Sequence, residues 1–106
     1  MSLGGGKDKP LDAAVNAAVR RGIHFSIAAG NEDQDACFTS PAASDLSVTV
    51  AASDRNDRKA WFSNNGKCVD IFGPGVDILS CGISSKKARA TVMGKHSLFT
   101  LEFFWL

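Results

Sequence analysis

The stretch from Pro10 to Asn31 limits what this chain can become more than any other part of it. Leu11, Ala14, Val15, Ala18 and Val19 recur at helical spacing, which predicts a helix over Leu11–Arg21 with one narrow stripe of small apolar residues. Pro10 suits its first turn, Asp12 its positive end, Arg20 and Arg21 its negative end, and Gly22 its stop. An apolar run follows, Ile23 to Ala28, and reads as a buried strand. A small-residue stripe lets a helix lie close against a sheet. With Met1-Ser2-Leu3 as the end of a preceding strand, stopped by Gly4-Gly5-Gly6, the order is strand, helix, strand. That is a βαβ unit, with parallel strands and a right-handed crossover. The fold class is therefore α/β, a mostly parallel sheet with a covering helix.

The rest of the chain extends this sheet. Residues 29–45 form a long polar loop. Leu46 to Ala52 alternates and is rich in β-branched residues, so it is a third strand. Asp54 to Arg58 is a charged turn, and Ser63-Asn64-Asn65-Gly66 a second turn. Cys68 to Phe72 and Val76 to Leu79 are short strands on either side of Gly73-Pro74-Gly75. No internal repeat and no linker divides the chain. His24 falls in mid-strand and reads as a packed structural residue rather than a base. The strand ending at Ala28 delivers Ala29, Gly30 and Asn31 to the edge of the sheet. An amide N–H donor held rigidly there is suited to a negative oxygen that forms only during acyl transfer.

Charge and composition narrow the partners. The 106 residues carry 12 basic and 11 acidic side chains, a net charge of +1, mixed along the chain. That balance gives no footprint for nucleic acid. Lys86-Lys87 with Arg89 is the densest basic cluster and reads as a solvated loop. No apolar run reaches the length of a membrane span, and the N-terminus lacks the basic and apolar regions of a signal peptide. Cys37, Cys68 and Cys81 allow at most one internal disulfide, with the pairing left open by spacing alone.

The order of short motifs resembles the subtilisin-like serine endopeptidases, in particular the proteinase K-like branch with its fungal vacuolar and secreted members. The stretches are Ser2-Leu3-Gly4-Gly5-Gly6, Ala28-Ala29-Gly30-Asn31, Ser40-Pro41-Ala42, Phe62-Ser63-Asn64, Asp70-Ile71-Phe72-Gly73-Pro74-Gly75 and Ile78-Leu79-Ser80. The match runs from residue 1 to about residue 80 and more weakly to Gly94. The resemblance implies that Asn31 is the side-chain donor of an oxyanion hole. It implies that Ser2, Leu3 and Gly4 form a substrate-binding edge, which an extended peptide joins by backbone pairing. Ala28, Ala29 and Gly30 would then wall the pocket for the residue before the cut. It further implies a structural calcium held by the Asp70 carboxylate and the backbone carbonyls of Asp45 and Ser47, oxygen donors of the kind calcium takes. Cys37 and Cys68 stand where some relatives have a disulfide, which would stabilise by roughly 3 kcal/mol through loop closure; Cys81 is left as a free thiol. Other implications are a peptide or protein substrate, an intact protease or inhibitory propeptide as a partner, and a secreted or vacuolar location.

The pattern breaks at the catalytic groups. In this family nucleophile, base and orienting carboxylate come in the chain order Asp, His, Ser. The Asp and His motifs would lie before residue 1. The serine belongs in a Gly-Thr-Ser-Met-Ala stretch, and the aligned residues here read Met93-Gly94-Lys95-His96-Ser97. Residues 1–94 are thus expected to form a partial subtilisin-like domain, inactive by itself. Residues 95–106 are expected to be an apolar tail foreign to the family, translated from an intron that begins at Gly94-Lys95. With an open sheet edge, the isolated chain is expected to be marginally stable or to aggregate. Two rival expectations are a degenerate homologue that binds peptides or proteases without cutting them, and, more remotely, an unrelated flavodoxin-like domain that lacks a phosphate loop.

Overall fold

A computed structural model describes residues 1–94. The helix that the spacing predicts is α1, Lys9–Arg20. It starts two residues early because Asp8 caps it, its Oδ1 accepting the Leu11 amide at 3.1 Å. The Asp8 amide in turn donates to Ser40 Oγ at 2.8 Å, tying the helix start to the long loop. Gly22 takes φ +89°, the left-handed turn that ends the helix. The buried stripe is rotated from the expected one. Val15 and Asp12 are buried, whereas Ala14 faces solvent. Polar side chains with partners turn the helix that way. Asp12 Oδ2 pairs with Lys7 Nζ at 2.8 Å, and Asn16 Oδ1 accepts from Ser44 Oγ at 2.7 Å and the Leu46 amide at 3.1 Å.

Three strands form the parallel sheet: β2, Ser26–Ala28; β4, Val48–Ser53; and β5, Ile71–Pro74, in the order β2-β4-β5. Ser26 sits opposite Val48, and Val50 opposite Ile71. Side chains alternate across this sheet as strand geometry requires. Ile27, Ala29 and Ala51 join Val15, Ala36 and Ala42 in one core, while Ala28 and Val50 pack together separately. Ala52, Ala60 and Phe62 make a third cluster. Both faces of β2 and β4 are therefore covered, as in parallel sheets generally, whereas the outer strand β5 leaves Ile71 and Phe72 exposed.

Several boundaries differ from expectation. β2 begins only at Ser26: Ile23 is 54% exposed and His24 is exposed rather than packed, because the chain leaving Gly22 still runs over the surface. No strand forms at Met1–Leu3. Met1 nevertheless lies beside β2, its carbonyl accepting the Ala28 amide at 3.1 Å and its amino group donating to the Ser26 carbonyl. The strand nearby is β1, Gly5–Gly6, made by the glycines expected to stop one; it pairs antiparallel with β3, Thr39–Ser40. The loop over 29–45 thus contains β3 and a one-turn 3₁₀ helix, Ala36–Phe38. Gly73 and Pro74 belong to β5 instead of a turn, a place proline tolerates on an outer strand. A hairpin follows, β6, Ile78–Cys81, with β7, Arg89–Val92, which the sequence reading left out. No helix among the described residues is long and apolar enough to cross a membrane. The tail expected at residues 95–106 lies outside the described residues.

Candidate active site

The candidate site is built where β2 ends. Ala28 and Ala29 are buried in the last pleats of β2 and just beyond it, and the Ala29 amide donates to the Val50 carbonyl at 2.9 Å. Gly30 then takes φ +112°. A Cβ at this position would overlap Asn64 Nδ2 and lie 2.5 Å from Glu32 Oε2, so glycine is required by both backbone angle and space. The turn brings Asn31 to the surface. Its amide donates to Glu32 Oε2 at 2.9 Å.

The Asn31 side chain lies against Gly94. A Cβ on Gly94 would fall 2.5 Å from Asn31 Nδ2. Gly94 is held by its amide, which donates to the Gly75 carbonyl at 2.9 Å, and takes φ +87°. The carboxamide therefore stands beside the residue that opens the aligned Gly-Thr-Ser position. A cavity of about 180 Å³ lies between Gly4–Gly6 and Ala28–Gly30, with Glu32 and Thr39 on its wall; Asn31 falls between two of its lining residues in the chain, Gly30 and Glu32, and is not itself among them. Of the residues singled out from the sequence, Gly4, Ala28, Ala29 and Gly30 come together here. Ser2 and Leu3 are exposed and are not among the residues lining the cavity. The small side chains leave the hollow open; Thr39 Oγ1 donates to the Ala36 carbonyl at 3.0 Å and so is turned to the backbone.

The loop that carries Asn31 is clasped by the segment Lys59–Cys68. The amides of Asp33, Asn64, Asn65 and Ala36 donate to the carbonyls of Phe62, Gly30, Gln34 and Asn65 at 2.8–3.1 Å. Lys59 Nζ pairs with Asp33 Oδ1 at 2.6 Å. Cys37 and Cys68 are joined by a disulfide, S–S 2.08 Å and Cα–Cα 5.3 Å, and Cys81 is a free, exposed thiol. Ser63 and Asn64 are fully buried. The sequence reading placed both in a turn and gave them no role. Turn propensity does not separate a buried asparagine from a solvated one; the signal was their position in the Phe62-Ser63-Asn64 motif.

Asp70, Asp45 and Ser47 lie at the other end of the sheet, before β5 and β4. Asp70 Oδ2 accepts the Thr49 amide at 2.7 Å, and the Asp70 amide donates to the Thr49 carbonyl at 2.9 Å, so Asp70 lies beside the start of β4. Asp70 is exposed, which leaves its carboxylate within reach of solvent. Among the described residues no group of three or more His, Cys, Asp or Glu side chains is placed to hold a metal ion.

Known proteins share the sequence and the fold. Residues 1–98 match the profile of the subtilase family. Over 94 residues the chain is 63% identical to cerevisin of Saccharomyces cerevisiae and 61% identical to the subtilisin-like serine protease Rho m 2.0101 of Rhodotorula mucilaginosa. These alignments take in 89% of this chain but only 15% and 28% of those proteins. The crystal structure of a cold adapted subtilisin-like serine proteinase superposes with a TM-score of 0.82 at 39% identity, over 96% of this chain and 40% of that one. Extent of match, identity and fold agree: the chain belongs to the subtilase family.

Proposed function

We propose that residues 1–94 are the substrate-cradling and oxyanion-stabilising segment of a subtilisin-like serine endopeptidase. The observation that carries this reading is the Asn31 carboxamide set against Gly94, with the residues on either side of Asn31, Gly30 and Glu32, lining the cavity that Gly4–Gly6 and Ala28–Gly30 enclose. An extended peptide lies along the exposed backbone near Ser2–Gly4. Its side chain before the scissile bond enters the cavity, and its carbonyl oxygen comes to the Asn31 carboxamide. Attack on that carbonyl moves negative charge onto the oxygen, and a fixed N–H donor stabilises the charge more than it stabilises the planar substrate. The substrate is thus a peptide or protein, and an inhibitory propeptide presenting the same extended backbone is a partner of the same groove, within one protease or between two. The Cys37–Cys68 disulfide supports a secreted or vacuolar location, since such bonds persist in oxidising compartments. Calcium would be held by Asp70 with the carbonyls of Asp45 and Ser47, all hard oxygen donors, where it would pin the starts of β4 and β5 together.

Lys95 and His96 stand where the family's pattern requires threonine and the serine nucleophile, so these positions do not supply that nucleophile. The test compares two ligands on the full chain: acetyl-Ala-Ala-Pro-Ala ending in a neutral carboxamide, and the same peptide ending in a tetrahedral phosphonate monoester. The phosphonate peptide is expected to bind about tenfold or more tightly, as a hydrogen bond to a charged group allows. Asn31→Ala is expected to erase that margin and leave the carboxamide peptide unaffected. Equal binding of the two peptides by the unmodified chain overturns the reading, and so does hydrolysis of casein that survives Asn31→Ala.

A further inference from the structure

Asn64 is wholly enclosed, yet all its side-chain polarity is spent on the loop that carries Asn31. Its Nδ2 donates to the Ala29 carbonyl and to Glu32 Oε2, each at 2.9 Å. Its Oδ1 accepts the Glu32 amide at 3.0 Å and the Gln34 amide at 3.1 Å. The Asn64 amide donates to the Gly30 carbonyl at 3.1 Å. The Glu32 oxygen that Asn64 holds is the same one that receives the Asn31 amide. Asn64 therefore grips the chain before and after Asn31, and it holds the carboxylate to which the Asn31 backbone is tied.

We propose that Asn64 is the positioning residue of the oxyanion donor: through Ala29, Glu32 and Gln34 it sets the backbone course of residues 29–34 and so aims the Asn31 carboxamide. It touches no substrate. This inference rests on the reading of Asn31 given above. A buried asparagine that merely satisfied its own polarity would have been served by any nearby backbone groups. Here the partners lie on both sides of one side chain, and the space they leave admits only glycine at position 30. The consequence is specific. A donor displaced by a fraction of an ångström loses charge stabilisation steeply, while binding of a neutral extended peptide depends little on it.

Asn64→Asp keeps an acceptor for the Glu32 and Gln34 amides, removes both donated bonds, and sets a carboxylate against Glu32. With the two peptides described above, it is expected to lower the phosphonate-over-carboxamide preference about tenfold, with the carboxamide peptide bound within about threefold of the unmodified chain. Adding Glu32→Gln to Asn64→Asp relieves the repulsion between the two carboxylates, so part of the lost stability is expected to return. The preference is not, because a glutamine nitrogen at position 32 that donates to the new carboxylate no longer accepts the Asn31 amide, whereas simple loss of packing would move stability and preference together. A preference unchanged in Asn64→Asp overturns the positioning role while leaving the Asn31 reading intact. An unmodified chain without any preference removes both. Should Asn64→Asp not fold, hydrogen exchange in the unmodified chain decides: the Asn64 side-chain amide protons are expected to exchange about a hundredfold more slowly than those of Asn31, and equal rates overturn the proposal.

Discussion

Two regions of the molecule are built to different standards. Between Ala29 and Cys68, the loop bearing Asn31 and the segment under it are joined by backbone pairs, the Asn64 side chain, an ion pair and a disulfide. The β6–β7 hairpin has a regular ladder, yet none of its strand residues is buried; Leu79 is 63% exposed. The ladder of the hairpin satisfies its own backbone and asks little of the neighbours. The loop around Asn31 has almost no regular structure, so its shape must be fixed by individually placed polar groups. Precision at the candidate site is therefore carried by side chains, and the sheet supplies only the platform.

The contrast is broken most severely by emptying the platform. Ile27 is fully buried on β2 among Val15, Ala29 and Ala51. Ile27→Ala is expected to cost about 2–5 kcal/mol, read as a shift in urea midpoint. Leu79→Ala on the hairpin is expected to cost under about 0.5 kcal/mol. A larger loss at Leu79 than at Ile27 would reverse the ranking of the two regions.

Next comes the clasp. Replacing Cys37 and Cys68 together by serine frees a loop of sequence separation 31. The expected loss is about 3 kcal/mol, measured as a lower Tm under non-reducing conditions. The phosphonate-over-carboxamide preference is expected to fall less in this variant than in Asn64→Asp, since the backbone pairs at Gln34 and Ala36 remain. Gly30→Ala is expected to cost about 1–3 kcal/mol from the backbone angle alone, and to abolish the preference because its Cβ displaces Asn64 and Glu32.

The sequence held the platform in plain view and the clasp only indirectly. The period of Leu11–Val19, the stop at Gly22 and the alternation through Val48–Val50 are local signals, and the helix and parallel strands follow from them. The helix face was misjudged because apolar spacing ignores polar residues that find partners: Asp12 and Asn16 are drawn inward by Lys7 and Ser44. β2 was overextended because Ile23 looks like core although its side is open to solvent. β7 escaped notice because an exposed strand has no apolar face to announce it. The clasp depends on pairs more than 30 residues apart, such as Asn64 with Glu32, for which no local rule exists; only the motif order pointed there.

Calcium offers a smaller test of the far end of the sheet. If Asp70 holds the ion with the carbonyls of Asp45 and Ser47, calcium stabilises the fold by the linkage between binding and folding, by about 2.7 kcal/mol at a hundredfold excess over Kd, and millimolar calcium raises Tm accordingly. Asp70→Asn keeps an acceptor for the Thr49 amide and is expected to remove the calcium response while leaving the calcium-free Tm nearly unchanged. A response that survives Asp70→Asn sinks the assignment.

The smallest effect concerns the charged turn after β4. The amides of Arg58 and Asn56 donate to Asp54, and together with the Arg58 side chain they hold its carboxyl below the ordinary 3.8. A carboxyl depressed in the folded state favours folding at pH above its unfolded value, and that favour is lost as pH falls through the folded value. The window is therefore below about 3.8. Asp54→Asn is expected to lower Tm slightly and evenly above about pH 5, where the favour is full, and the gap to the unmodified chain is expected to close as pH falls through that window. The turn sits on solvent at the end of β4, where screening keeps its ion pair with Arg58 weak. An Asp54→Asn effect at neutral pH as large as that of the disulfide would mean that this turn, and not the loop around Asn31, carries the stringent polar design.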